Sequence, residues 1–578
     1  NENSHLWEHG FVSLAGDGDG HLHTKIAIDG VFYKNEKFDM KGPRFDGADK
    51  TIYDDKTINS GESERFTYFD KYFYEFLTKS QEYTNERLGA DLIIGNDWHT
   101  GGISAMMRLL TKAKTAVGDL GSDAAEKLYN TPVVTILHNA RLAGQSAHSN
   151  PKLFNILFGE HSAMIAENAY MPDVYQYGLK LAEKQGLSGD AAVAKAKEMS
   201  SQYGLPAKCW NGLMHEQCVN PQTMATAYSD VIVPVSDKYM EEIATQGVYG
   251  RENFELFRLR KFASDNGDQK TIVGITNGCD RVNNSLTAEG AKFLERVLDL
   301  PKGSLKVYNA GDNVLEWHNH NKKVLIDRVV ADINNPKNPM KISSQDMTDL
   351  TGVNENTMIV STAGRIVDQK GLDIFAESIE EFLRTHKFPD GNYPVFYAQG
   401  NGDKRYIEQL LAIKQKVANS PELGGQAAAK RIVFANLFSE AGRYDGCKLM
   451  SDFSIMSSWF EPCGLVHKQI ASYSGAVPIV NETGGLTSGL KDGVDAIFSK
   501  FKPDEPSKEA VIGENKVNFA KAMGRAYELF TDKAKFNEVL SNSFNNDFSW
   551  LVKDGPMAQY VKVFTDLKVV KPQILSNS

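Results

Sequence analysis

The run Phe460-Glu461-Pro462-Cys463-Gly464-Leu465 sets a carboxylate beside a glycine turn, and Thr483-Gly484-Gly485-Leu486 adds a second such turn after the apolar stretch Val477 to Val480. Two glycine-rich turns and a carboxylate around one short strand suit a site that holds a sugar and its phosphates at the carboxyl edge of an α/β sheet. A helix opening near Gly464 would offer unpaired backbone N–H groups to a hydroxyl or a phosphate. Thr483, Gly484 and Gly485 would form a second set of backbone donors. Upstream, Gly364-Arg365-Ile366-Val367-Asp368-Gln369-Lys370-Gly371 lies between a predicted strand and a predicted helix. Its Arg365 and Lys370, five positions apart in a loop, can converge on one pyrophosphate and offset the charge of a departing nucleoside diphosphate without a metal.

These residues need a scaffold, and the chain alternates short apolar runs with amphipathic stretches as a helix-flanked parallel sheet requires. In the first half, Asp91 to Gly95, Pro132 to Leu137 and Asp230 to Val235 read as buried strands. They end in polar tips: Asn96-Asp97-Trp98-His99, His138-Asn139 and Ser236. Ligands of open α/β sheets collect at such strand ends. In the second half, Thr357 to Ala363, Val395 to Ala398, Arg431 to Ala435, Phe453 to Met456 and Val477 to Val480 repeat the pattern. After the first of these, Leu372, Phe375, Ile379, Phe382 and Leu383 share one helical face.

With 578 residues the chain exceeds one core, and two Rossmann-like domains are expected, with residues 1–272 and 273–550 as their bounds and 551–578 as a terminal helix and tail. An Ala- and Lys-rich segment, Asp173 to Gly204, reads as a helical hairpin and, with the aromatic- and sulfur-bearing Leu205 to Gln222, makes a helical insertion near 173–222 in the first domain; Asn283 to Asn356 reads as a long connection between elements. A net charge of −10 argues against nucleic-acid binding. The five cysteines form no CxxC pair, which favours a reducing, cytoplasmic setting, and the chain is also compatible with a removed targeting segment. No apolar run is long enough to span a bilayer. Cys209 and Cys218 bracket His215 with no fourth ligand nearby, so these residues read as buried rather than metal-binding.

The combination of FEPCGL, TGGL and GRxxxQKGxD resembles the glycogen and starch synthases, retaining glucosyltransferases of the GT-B fold, over roughly residues 85 to 567. The resemblance implies an α/β protein of two Rossmann-like domains facing across a cleft, with helical insertions. It implies that Gly364, Arg365 and Lys370 grip the donor phosphates. Glu461 is implied to lie near the donor sugar, with Cys463, Gly464, Leu465, Thr483, Gly484 and Gly485 completing the donor site. Asn96, Asp97, Trp98 and His99 match the motif that faces the acceptor glucan, with Asn139 beside it, and His138 matches the histidine that contacts the transferred glucose. Glu461, His138, Arg365 and Lys370 are therefore the expected catalytic set. Asn277-Gly278-Cys279-Asp280 resembles the turn at the domain junction, and the terminal helix is implied to brace the first domain. The expected reaction moves glucose from a nucleotide sugar, ADP-glucose ahead of UDP-glucose, to the nonreducing end of an α-1,4-glucan. It needs no metal or other cofactor.

Three departures accompany the match. The chain contains no Lys-x-Gly-Gly-Leu loop, Ala140 to Gln145 replaces an aromatic-containing run, and Asn436-Leu437-Phe438 stands where a tyrosine commonly meets the nucleotide base. A GT-B-shaped glycan-binding protein without catalysis is the alternative these departures keep open.

Overall fold

The computed structural model describes residues 10–16, 22–28, parts of 67–78, 90–140, 151–168, 182, 186–202, 214–215, 218–246, 253–266, 270–279, 287–309, 311–337, 341–388, 390–436, 449–502 and 509–567. Half of the 173–222 insertion, residues 141–145, Asp280, Leu437 and Phe438 lie outside them. The chain divides into two compact units, one of Asn1–Val233, Ile243–Val273 and Phe564–Ser578, the other of Pro234–Glu242 and Gly274–Val563. Among the described residues no helix is long and apolar enough to cross a membrane.

The first unit begins with an antiparallel pair, β1 (Gly10–Gly16) and β2 (Leu22–Ile28). A three-stranded sheet follows, in the order β3 (Ile93–Asn96), β4 (Val133–Leu137), β7 (Val231–Pro234). Between them in sequence, β5 (Met214–His215) and β6 (Cys218–Val219) form a two-residue ladder. The parallel register of β3 and β4 pairs Gly95 with Thr135 and Asn96 with Ile136. It extends one step further, because the Asp97 N–H donates to Ile136 O at 2.7 Å. The polar tips of the two strands are thereby set side by side.

In the second unit seven strands run in the order β14 (Ile497–Ser499), β13 (Val477–Asn481), β12 (Phe453–Met456), β9 (Ile359–Ala363), β10 (Val395–Gln399), β11 (Ile432–Ala435), β8 (Ile342–Ser343). All pairs are parallel except β11 with β8. Strands buried on both faces carry continuous apolar sequence, and β10, β11, β12 and β13 are buried at every position. The helix Leu372–Thr385 buries Leu372, Phe375, Ile379, Phe382 and Leu383.

The stretch Asn283 to Asn356, expected as a connection, contains the helices Ala288–Val297 and Val314–Ile333. The longer helix buries Trp317, Leu325 and Ile326, but also His318, Asn321 and Lys322. Polar residues on the buried face hide its period. The reason is an ion pair: Lys322 Nζ lies 2.7 Å from Asp452 Oδ2, both side chains fully buried, and also donates to Thr357 O at 2.8 Å. The same carboxylate faces His318 Nε2 at 3.1 Å and accepts the Ile359 N–H at 2.7 Å. Burial alone would raise Asp452, but the adjoining Lys322 and His318 overcome it and hold the carboxyl below the usual carboxylate range.

Candidate functional site

In the second unit, adjacent parallel strands β9 and β12 deliver two of the expected residues to one place. Lys370 closes the turn Asp368–Lys370 after β9, and Glu461 follows β12 in the loop that carries Ser457 to Pro462. Lys370 Nζ lies 2.5 Å from Glu461 Oε2, and Ser458 Oγ donates to the same oxygen at 3.1 Å. The loops are also joined through their backbones. Trp459 N–H donates to Gln369 O at 2.9 Å, and Gln369 Nε2 donates to Phe460 O at 3.1 Å. Gly371, in the left-handed region at φ 62°, permits this approach, since a Cβ there would lie 2.0 Å from Ser457 O. Trp459 Nε1 donates to Asp373, whose carboxyl is pushed up to about 6 by burial.

Arg365 does not share this contact. It is exposed and has no hydrogen-bond or ion-pair partner among the described residues, next to Gly364 at the carboxyl end of β9. Of the two expected phosphate cations, one is tied to the carboxylate and the other is unpaired among the described residues.

The Thr483–Gly485 turn is required by contact with the Glu461 loop. A Cβ on Gly484 would lie 2.0 Å from Glu461 O, and one on Gly485 would lie 2.2 Å from Cys463 O. The Gly485 N–H donates to Glu461 O at 2.8 Å. The Gly484 N–H donates to Glu242 Oε1 at 2.8 Å, and Thr483 Oγ1 lies 3.4 Å from the same oxygen. The expectation that these two glycine amides are donors to phosphate meets a different arrangement: both are engaged within the protein, because the turn must pack on the Glu461 loop. Glu242 is buried and its carboxyl is raised by that burial. It carried no sequence signal, since a lone glutamate after a short helix reads as surface.

The helix after Glu461 starts at Val466, with Leu465 as an N-cap that provides no side-chain hydrogen bond and Gly464 at φ 69° before it. Cys463 is buried, which pushes its thiol up. His467, fully buried beside Gly464, has no hydrogen-bond partner on either ring nitrogen among the described residues, and burial holds it neutral. Ser236, a strand tip named by the sequence, donates from Oγ to Pro462 O at 2.6 Å.

In the first unit the parallel register of β3 and β4 gathers the other expected residues. His138 Nε2 lies 2.7 Å from Asn96 Oδ1. Asp97 adopts φ 63°, a strained conformation for a residue with a Cβ, which turns its carboxyl toward His138 and the N–H groups of Trp98, His138 and Asn139. Burial still raises that carboxyl above its ordinary range. Trp98 and His99 stack at 4.1 Å between ring centroids. Burial, with the neighbouring His138, lowers His99 to about 4, so its imidazole is neutral near pH 7. Asn139 O accepts from Gln222 Nε2 at 3.0 Å, and Gln222 Oε1 accepts in turn from Asn253 Nδ2 at 3.0 Å. Gln222 and Asn253 were not foreseen, because each is a single amide with no motif around it.

The sheet orders and the loops at the strand ends define an α/β protein. A solved structure, the catalytic domain of starch synthase IV from Arabidopsis thaliana bound to ADP and acarbose, shares this fold with a TM-score of 0.51 at 18% identity, covering 87% of this chain and 77% of that one. The family model for the starch synthase catalytic domain matches residues 23–256. Glycogen synthase 1 of Synechocystis sp. is 26% identical over 384 residues, 64% of each chain. Granule-bound starch synthase 1 of Arabidopsis thaliana is 23% identical over 85% of this chain and 61% of its own length. Glycogen synthase of Clostridium novyi is 23% identical over 88% of this chain and 78% of its own. Over these spans the chain is similar to glycogen and starch synthases, and it shares the α/β fold of the solved starch synthase structure. It spans 64% and 61% of the length of the first two of these relatives.

Proposed function

We propose that the protein is a retaining glucosyltransferase that moves glucose from a nucleoside diphosphate sugar, ADP-glucose foremost, to the nonreducing end of an α-1,4-glucan. The observation that carries this reading is the Lys370–Glu461 contact on neighbouring strand-end loops, with the unpartnered Arg365 on the same β9 loop. A cation that answers a carboxylate in the protein can answer a diphosphate when the donor arrives, and Arg365 needs to give up no partner to join it. In the proposed reaction the bond from the sugar C1 to the diphosphate oxygen breaks as the acceptor O4 bonds to C1 on the same face. The acceptor proton leaves with the diphosphate. Arg365 and Lys370 stabilise the departing charge, and the Glu461 carboxylate stabilises the positive charge on the sugar. His138, held by Asn96, is the proposed contact for the transferred glucose.

Incorporation of labelled glucose into glycogen from ADP-glucose and from UDP-glucose tests the proposal and its donor. Transfer that falls sharply in Arg365→Ala supports it; glycogen binding without transfer from either donor supports the non-catalytic reading instead. That second reading draws on one observation, the engagement of the Gly484 and Gly485 amides within the protein.

A further inference from the structure

We infer that Asp119, Glu160 and His161 form a binding site for a divalent transition-metal ion, zinc above manganese, in the first unit and independent of the proposed transfer reaction. One ligand atom from each of the three residues lies within 4.8 Å of the others. His161 is only 6% exposed, yet its Nε2 makes no hydrogen bond. That nitrogen lies 3.2 Å from Asp119 Oδ2 without the alignment of a hydrogen bond. Two ligands of one ion, each at ~2.0–2.2 Å from it, stand at about this separation when their bonds meet near a tetrahedral or right angle.

The three atoms, an imidazole nitrogen and two carboxylate oxygens, are all of the kinds that ligate a transition-metal ion. With its proton on Nδ1, an imidazole directs a lone pair from Nε2, and the two carboxylates bring negative charge to the same place. A proton on His161 or a metal ion can resolve that repulsion. The backbone fixes both sides of the cluster. Asp119 follows a helix that ends at Gly118 in the left-handed region, with the Asp119 N–H donating to Lys114 O at 2.8 Å and the Gly118 N–H donating to Thr115 O at 3.2 Å. This double bond pattern anchors the residue after a helix. On the other side, Gly159 at φ 55° ends the helix Pro151–Phe158 and starts the turn Gly159–His161, between the buried Phe158 and Ile165. Both carboxylates are exposed, so they can close on an ion and leave its remaining positions to water. One nitrogen and two carboxylate oxygens suit zinc, then manganese, and suit magnesium less. A bound ion would tie together two turns 42 positions apart in sequence.

The test is calorimetric titration of the chelator-treated full chain with zinc chloride, and in parallel with manganese and magnesium chloride. Wild type and Asp119→Asn are compared, together with His161→Ala and a Cys209→Ser/Cys218→Ser double variant. The expected result is one zinc site, weakened in Asp119→Asn and His161→Ala by at least the ~10–100-fold that loss of an outer-shell partner brings. The cysteine variant should keep that site, and zinc should raise the melting temperature of wild type but not of Asp119→Asn. Should His161→Ala fail to fold, Asp119→Asn decides alone, because Asp119 is exposed. The inference is overturned by zinc affinity unchanged in Asp119→Asn, by loss confined to the cysteine variant, or by no zinc binding.

Discussion

Lys370 Nζ and Glu461 Oε2 lie 2.5 Å apart, although 91 positions separate the residues in the chain. The contact holds a cation and a carboxylate at the ends of neighbouring parallel strands, β9 and β12.

Lys370→Ala should weaken nucleoside diphosphate binding by ~1.5–3 kcal/mol, the range for hydrogen bonds to charged groups. Calorimetry on the folded variant measures it. Unchanged affinity would show that Lys370 serves only Glu461.

Glu461→Gln keeps the side-chain shape and removes the charge. It should lower glucosyl transfer on the order of 10²-fold or more while changing nucleotide binding little, because the carboxylate matters most as positive charge develops on the sugar. Transfer rates and binding isotherms on one preparation separate the two effects. Equal losses in both would assign Glu461 to donor binding alone.

Glu242→Ala leaves the buried Gly484 N–H without its acceptor and should cost about 1–3 kcal/mol of stability. Glu242→Gln retains an acceptor and removes a charge that burial disfavours, so it should be milder at pH 7. Urea unfolding of the two variants gives the order. A Gln variant less stable than the Ala variant would contradict this account.

Asp452→Ala should destabilise the second unit by about 3–5 kcal/mol, since it strands the fully buried Lys322 ammonium. In wild type the Asp452 carboxyl is lowered in the folded state, so its stabilisation is present above the unfolded carboxylate value and is lost as pH falls through the lower, folded one. Denaturant midpoints for wild type and variant should therefore converge at strongly acid pH. A difference that persists there would mean the ion pair contributes little.

His99 has a folded value of about 4 against an ordinary 6.5. The unfolded chain then takes up a proton before the folded protein does, so stability from this group is complete above about 6.5 and declines as pH falls toward about 4. Melting temperature against pH for wild type and His99→Gln isolates the effect. The wild-type curve should fall more steeply between those values, and parallel curves would show that His99 is not held neutral.

Much of the second unit was legible because buried parallel strands must be apolar and because glycine is the residue that fits where backbones nearly touch. β9 through β13 stand within two residues of the ranges read from hydrophobic runs. The cluster of Asn96, Asp97, His99 and His138 was legible only as two separate strand tips. The helix Val314–Ile333 was not legible, because Lys322 looks like surface until Asp452 is placed beside it.

The amino-acid sequence by itself determined the alternation of strands and helices, the positions of the glycine turns, and the residues that carry charge at the strand ends. These follow from local sterics and from the period of apolar side chains, which need no distant partner. Tertiary structure alone decided which charges meet. It joined Lys370 to Glu461, gave Glu242 the amide of Gly484, and left Arg365 exposed and unpaired among the described residues. Coulombic and hydrogen-bond energies depend on separation in space, and the order of strands in a sheet sets that separation.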